Sequence, residues 1–211
     1  TPMPFPQPIV FLVDDDASVR KALARLIKSA GHQVESFASA QEFIESKPET
    51  TGVACLVLDV RMPGLGGLDL QRELLAANAI LPIIFITGHG DVPTSVRAMK
   101  AGAVDFLQKP VKDKDLLTAI EQSLARAARD QSEREEIAAI RQRVESLSPR
   151  EFEVMALVVT GMLNKQIAAK LGIVEKTIKV HRGRVMDKMG VNSLAELVRM
   201  AEKIGVPAKK E

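Results

Sequence analysis

Ile9-Val10-Phe11-Leu12-Val13-Asp14-Asp15-Asp16 sets five apolar residues directly before three carboxylates. An unbroken apolar run of this length fits a strand buried on both faces, as in a parallel sheet. Asp16 is placed to cap a following helix. There Val19, Leu23, Leu26 and Ala30 keep helical spacing, and Gly31 stands at the end. The same strand-then-helix unit recurs downstream. Val53 to Leu58, Ile83 to Ile86, and Ala103 to Leu107 (broken by Asp105) are further short apolar runs, and Gln33 to Phe37 is a weaker one. Leu116, Ile120, Leu124 and Ala127 repeat the helical rhythm in the last helix of the series. Five alternations predict an α/β fold, a doubly wound five-stranded parallel sheet.

Beyond Ala128 the composition changes. Arg129, Asp130, Glu133, Arg134, Glu135 and Glu136 crowd one stretch, while Ile137, Ile140, Val144 and Leu147 still keep helical spacing. This predicts a helical linker over 129–146. Ser148-Pro149-Arg150-Glu151 then restarts the chain, with an N-cap serine, a proline in the first helical position and a glutamate that completes a capping box. Apolar positions at Val154, Leu157 and Val158 lead to a stop at Gly161. Two short helices meeting at Gly172 follow, then one more from Ser193 to about Ile204, so a separate all-α four-helix domain is expected over 147–205. The proline-rich start, 1–8, reads as an arm outside the fold, and 206–211 as a tail.

Composition narrows the function. Residues 1–130 carry 14 Lys/Arg against 16 Asp/Glu, and residues 148–211 carry 12 against 7, so an acidic front precedes a basic back. Tyr and Trp are absent, which disfavours base stacking on aromatic platforms. The single cysteine, Cys55, excludes an intramolecular disulfide and suits a reducing, cytoplasmic setting; inside an apolar run it reads as core. No apolar run reaches the ~18 residues of a membrane span, so no membrane partner is expected.

The chemistry-bearing residues of the front half fall at strand ends. Asp14, Asp15 and Asp16 follow the first strand, Asp59 ends the third, Thr87 ends the fourth, and Lys109 with Pro110 follows the fifth. In open α/β sheets ligands bind beyond the carboxyl ends of the strands. Several carboxylates in one mouth repel one another unless a cation joins them, and an oxygen-only donor set suits Mg²⁺. A lysine and a hydroxyl opposite would hold phosphoryl oxygens. Asp59, alone at its strand end, is the nucleophile candidate for phosphoryl transfer to a carboxylate. Asp16 reads as a cap, His32 and His89 as loop residues.

Val13-Asp14-Asp15, Leu58-Asp59-Val60-Arg61-Met62-Pro63-Gly64, Thr87-Gly88-His89-Gly90-Asp91-Val92-Pro93 and Lys109-Pro110 together resemble the signature segments of two-component receiver domains, the FixJ-type subgroup in particular. The resemblance covers residues 9–128. It implies a flavodoxin-like sheet in the order 2-1-3-4-5, with Asp59 as phosphoacceptor and Mg²⁺ held by Asp14, Asp15, Asp59 and the backbone carbonyl of Arg61. It also implies Lys109 and Thr87 as phosphoryl-binding residues, Phe106 as the aromatic switch and a cis bond before Pro110. Phe106 stands where many receivers have Tyr, so a switch there works by packing without a hydroxyl. Haloacid-dehalogenase-type phosphatases also use an Asp nucleophile, but they place a second acid two residues on, and here that position is Arg61. A non-enzymatic regulator is therefore expected.

In the back half, a helix from about Glu175 to Met189 carries Lys176, Lys179, Arg182, Arg184 and Lys188 around an apolar face of Ile178, Val185 and Met189. Preceded by Asn164 to Leu171, it reads as the second helix of a helix-turn-helix. Leu147-Ser148-Pro149-Arg150-Glu151, Asn164-Lys165-Gln166-Ile167-Ala168 and Thr177-Ile178-Lys179-Val180-His181-Arg182 resemble LuxR-type output domains. That resemblance implies double-stranded DNA as partner, with Lys179, Val180, Arg182 and Gly183 toward the major groove and Lys176 and Thr177 near phosphates. Arg184 and Lys188 complete the expected DNA-binding set. Val174 is a weak N-cap, and Gly183 is an unexpected mid-helix glycine. A sensor histidine kinase, a phosphorylation-dependent homodimer, RNA polymerase contact and transcriptional activation are the further expectations of the family.

Overall fold

The structure is a computed structural model that describes residues 7–48, 52–88 and 92–206. It divides into two units, 1–131 and 132–211. His89, Gly90 and Asp91, part of the third signature segment, lie outside the described residues, as do 1–6 of the arm and 207–211 of the tail.

The first unit alternates strand and helix: β1 (Ile9–Val13), α1 (Ala17–Ser29), β2 (Gln33–Phe37), α2 (Ala40–Ser46), β3 (Ala54–Asp59), α3 (Gly67–Ala76), β4 (Ile83–Thr87), α4 (Val92–Lys100), β5 (Asp105–Gln108) and α5 (Asp113–Glu145). The five strands form one parallel sheet in the order β2-β1-β3-β4-β5, as the family resemblance implies. Because side chains alternate across a strand, each apolar run feeds two cores. Phe11, Val13, Leu56, Leu58 and Phe85 pack with Phe43, Leu70 and Ala98 from α2, α3 and α4. Val10, Leu12, Cys55, Val57, Ile84 and Ile86 pack on the other face with Leu23, Ile27, Leu116 and Ile120 from α1 and α5. This two-sided burial is why the central runs carry no polar alternation. The weaker patterns belong to the sheet edges: β2 has one buried residue and β5 none. The fifth run, expected from Ala103, forms ladder structure only from Asp105, although Ala103 is itself buried.

Caps behave as the residue types dictate. The Asp16 carboxylate accepts from the N–H groups of Ser18 and Val19, and Ser39 caps α2 by accepting from Glu42 N–H. Helix α5 runs unbroken for 33 residues and carries the division between the units, so the last receiver-type helix and the linker are one element.

The second unit contains the end of α5, then α6 (Pro149–Val158), α7 (Asn164–Leu171), α8 (Glu175–Met189) and α9 (Leu194–Lys203). Its core joins Val154, Met155, Val158, Ile167, Ile178, Val185, Met189 and Leu197 with Ile140 of α5, which is only 3% exposed. Arg143 donates to the carbonyl of Met189 at 2.9 Å, and Lys203 pairs with Glu136 at 2.5 Å. The linker's C-terminal half is thus part of this unit's packing. Ser148 and Glu151 form the expected capping box, and Ser193 caps α9. Among the described residues, no helix is long and apolar enough to cross a membrane.

Candidate functional site

In the first unit, β1, β3 and β4 end side by side, with Val13 in register with Leu58 and Asp59 with Ile86. That register brings Asp14, Asp59 and Thr87 to one rim, where they are 0%, 5% and 0% exposed. Asp15 beside them faces solvent. Carboxylate oxygens of Asp14, Asp15 and Asp59 lie within 4.8 Å of one another. Lys109 reaches over from the end of β5, its Nζ 2.5 Å from Asp59 Oδ2 and 2.7 Å from Asp14 Oδ2. Its backbone N–H donates to the carbonyl of Thr87 at 2.7 Å, and the peptide bond to Pro110 is cis.

Short backbone bonds aim the carboxylates. Asp16 N–H donates to Asp14 Oδ1 at 2.9 Å and Arg61 N–H to Asp59 Oδ1 at 3.1 Å, leaving the Oδ2 atoms to the lysine. Burial pushes the Asp14 carboxyl above its usual range, against the lowering effect of Lys109. Burial alone would lower Lys109, but its bonds to Asp14 and Asp59 outweigh that and raise it. Charge here therefore depends on mutual compensation. Three convergent carboxylates, one of them costly to desolvate, form a hard-oxygen donor set that fits a divalent cation of the Mg²⁺ class.

Phe106 lies opposite Phe85 in the β4–β5 ladder, with ring centroids 6.2 Å apart and planes tilted by 43°, and it is half-buried. Arg20 was not expected at the site. Its guanidinium donates to the carbonyls of Asp14 at 2.6 Å and Asp15 at 3.3 Å, holding the loop that presents both carboxylates. Its position one turn into α1, four residues after the Asp16 cap, was the available signal.

In the second unit, α7 and α8 are joined through Gly172, which ends α7 in left-handed backbone at φ +65°. Ile178, Val185 and Met189 of α8 are buried. Lys176, Lys179, Val180, Gly183 and Arg184 are exposed, while Thr177 and Arg182 are half-buried. Arg182 Nη1 donates to Asn164 Oδ1 at 3.1 Å, tying α8 to the first residue of α7. Lys179 lies 3.8 Å from Glu175 one turn before it. Val174 caps α8 without a side-chain bond.

Lys188, the last member of the expected DNA-binding set, is bonded within its own unit. Its Nζ donates to Glu151 Oε2 at 2.7 Å and to the Ser146 carbonyl at 2.9 Å. Three residues beyond Val185, it lies beside the buried face, and its charge is engaged by the fold.

Two family models match the chain: the response regulator receiver domain over residues 10–121, and the bacterial regulatory proteins of the luxR family over residues 145–201. The chain is 53% identical to Nodulation protein W of Bradyrhizobium diazoefficiens, over 95% of this chain and 88% of that protein. It is 47% identical to the transcriptional regulatory protein FixJ of the same organism, over 93% and 96%. Among solved structures it is similar to the response regulator StyR, with a TM-score of 0.85 and 50% identity over 93% of this chain and 99% of that one.

Proposed function

Since the chain belongs to the two-component response regulators, with a receiver domain followed by a LuxR-family DNA-binding domain, we propose that phosphorylation of Asp59 switches its binding to DNA. A sensor histidine kinase supplies the phosphoryl group. The P–N bond of the phosphohistidine breaks as a carboxylate oxygen of Asp59 forms the new O–P bond. Asp14, Asp15 and Asp59, with the Arg61 carbonyl, would hold Mg²⁺. Bound there, it would supply positive charge against the transferring phosphoryl oxygens.

The chain's own residues do the rest. Lys109, already on Asp59, moves its bond to a phosphoryl oxygen, and Thr87 at the neighbouring strand end bonds another. Arg20 keeps the β1–α1 loop in place. Phe106 follows Thr87 and carries the change to the α4–β5–α5 face by packing. That face pairs two receivers, and two α8 helices then address two DNA half-sites, raising affinity by effective concentration. Lys176, Thr177, Lys179, Val180, Arg182, Gly183 and Arg184 form the DNA-facing set. The outcome is transcriptional activation through RNA polymerase, in the cytoplasm.

The observation that carries this reading is the placement of Lys109 Nζ on both Asp59 and Asp14, at 2.5 and 2.7 Å, beside buried Thr87. Labelling with radioactive acetyl phosphate and Mg²⁺ tests it. Label is expected on the native chain and absent from Asp59→Asn. Full labelling of that variant would remove Asp59 from the role.

A further inference from the structure

Other glycines of this chain show why they are glycines. Gly172 and Gly190 close α7 and α8 in left-handed backbone, and a Cβ on Gly67 would meet the main chain of Asp59. Gly183 has no such reason. It lies inside α8, outside the left-handed region, and a Cβ built on it meets no heavy atom within 4 Å. Glycine inside a helix is destabilising relative to alanine, because it loses more backbone freedom on folding. Among the described residues, no packing contact offsets that cost.

Position gives the reason. At 3.6 residues per turn, Gly183 lies roughly 120–160° round the axis from Ile178, Val185 and Met189. It shares the outward side of α8 with Lys176, Val180 and Asp187, all exposed, Val180 at 49%. Lys179 and Arg184 flank it. Resting on the reading of the second unit as a DNA-binding domain, we propose that Gly183 is the point of closest approach between α8 and the floor of the major groove. It is a specificity-determining residue that meets base-pair edges with bare backbone.

A methyl group there would lift the helix by a fraction of its own width. Lys179 and Arg184 have long stems and follow phosphates through such a shift. Val180, one turn before Gly183, has a short side chain and would be withdrawn from the groove. Selectivity should therefore fall while sequence-independent affinity persists, because that affinity comes from cations.

The test uses the full chain with beryllofluoride and Mg²⁺, and a pool of random-sequence duplexes enriched on it. Gly183→Ala should raise the unfolding midpoint of the second unit by about 4–8 °C. It should weaken binding to the enriched duplex about ten-fold or more, with affinity for unselected duplex and the salt slope unchanged. Equal affinity and unchanged base preference in Gly183→Ala would overturn the inference while leaving the DNA-binding reading intact. So would an equal loss on selected and unselected duplex. No enrichment by the native chain would overturn the DNA-binding reading and this inference with it.

Discussion

Glu151 and Lys188 meet at 2.7 Å although 37 residues separate them, joining the first turn of α6 to the last turn of α8. Glu151 is 3% exposed and also accepts the Ser148 N–H at 2.9 Å, so the pair and the capping box share one carboxylate. The bond ties the end of α8 to the start of α6.

Lys188→Met tests that role. It should lower the thermal midpoint of the second unit, since a buried carboxylate loses its partner. Measured by fluorescence anisotropy on labelled duplex, the salt dependence of DNA binding should stay unchanged. A slope smaller by about one unit would place Lys188 among the phosphate contacts.

The same carboxylate predicts an acid limit. Lys188, then the Ser148 N–H, hold Glu151 at about 2, below its ordinary 4.5. A depressed carboxyl stabilises the fold fully above its unfolded value and loses that contribution as pH falls through its folded one. Circular dichroism melts should show the helical unit weakening between about pH 4.5 and 2. Glu151→Gln should be less stable at neutral pH and flatter across that window. An unchanged pH profile in the variant would remove Glu151 as the cause.

Asp14 should govern cation binding. The chain has no Trp or Tyr, so titration calorimetry replaces intrinsic fluorescence as the readout. Native protein should release heat on Mg²⁺ addition, and Asp14→Asn should bind at least about ten-fold more weakly. Chelation should abolish labelling by acetyl phosphate. Equal Mg²⁺ affinity in the variant would place the ion elsewhere.

Receiver pairing predicts a change in mass. Val92, Val96 and Met99 form a stripe on α4 at helical spacing, exposed by 75%, 44% and 44%. Beryllofluoride with Mg²⁺ should shift the native chain from monomer to dimer in sedimentation velocity, and Val96→Asp should hold it monomeric. No shift in the native chain would sink the dimer switch.

Most of the receiver was readable because its evidence is local. Unbroken runs at β1, β3 and β4 announce strands covered on both faces, and Asp14, Asp59, Thr87 and Lys109 stand where those strands stop. β2 and β5 carry weaker patterns because edge strands are covered less, yet Gln33–Phe37 is the strand the sequence predicts. The partner of Lys188 is not legible for a different reason: sequence shows a cation on a helix, but its bond to Glu151 is fixed only by how α6 packs against α8. Ile140 was likewise readable as an apolar helical position, but not as a member of the second core. The role of Arg20 is not legible in the sequence because its partners are main-chain carbonyls, which carry no residue identity.

Gly67 opens α3 directly behind the strand that ends in Asp59. A Cβ there would lie 3.1 Å from the Asp59 carbonyl carbon and 3.1 Å from the Cα of Val60. The position of Asp59 is therefore open to disturbance from the rear. A single added methyl group at residue 67 can displace Asp59 from Lys109 while every ionisable group remains. Loss-of-function alleles of this protein should thus be sought in a position that has no chemistry of its own.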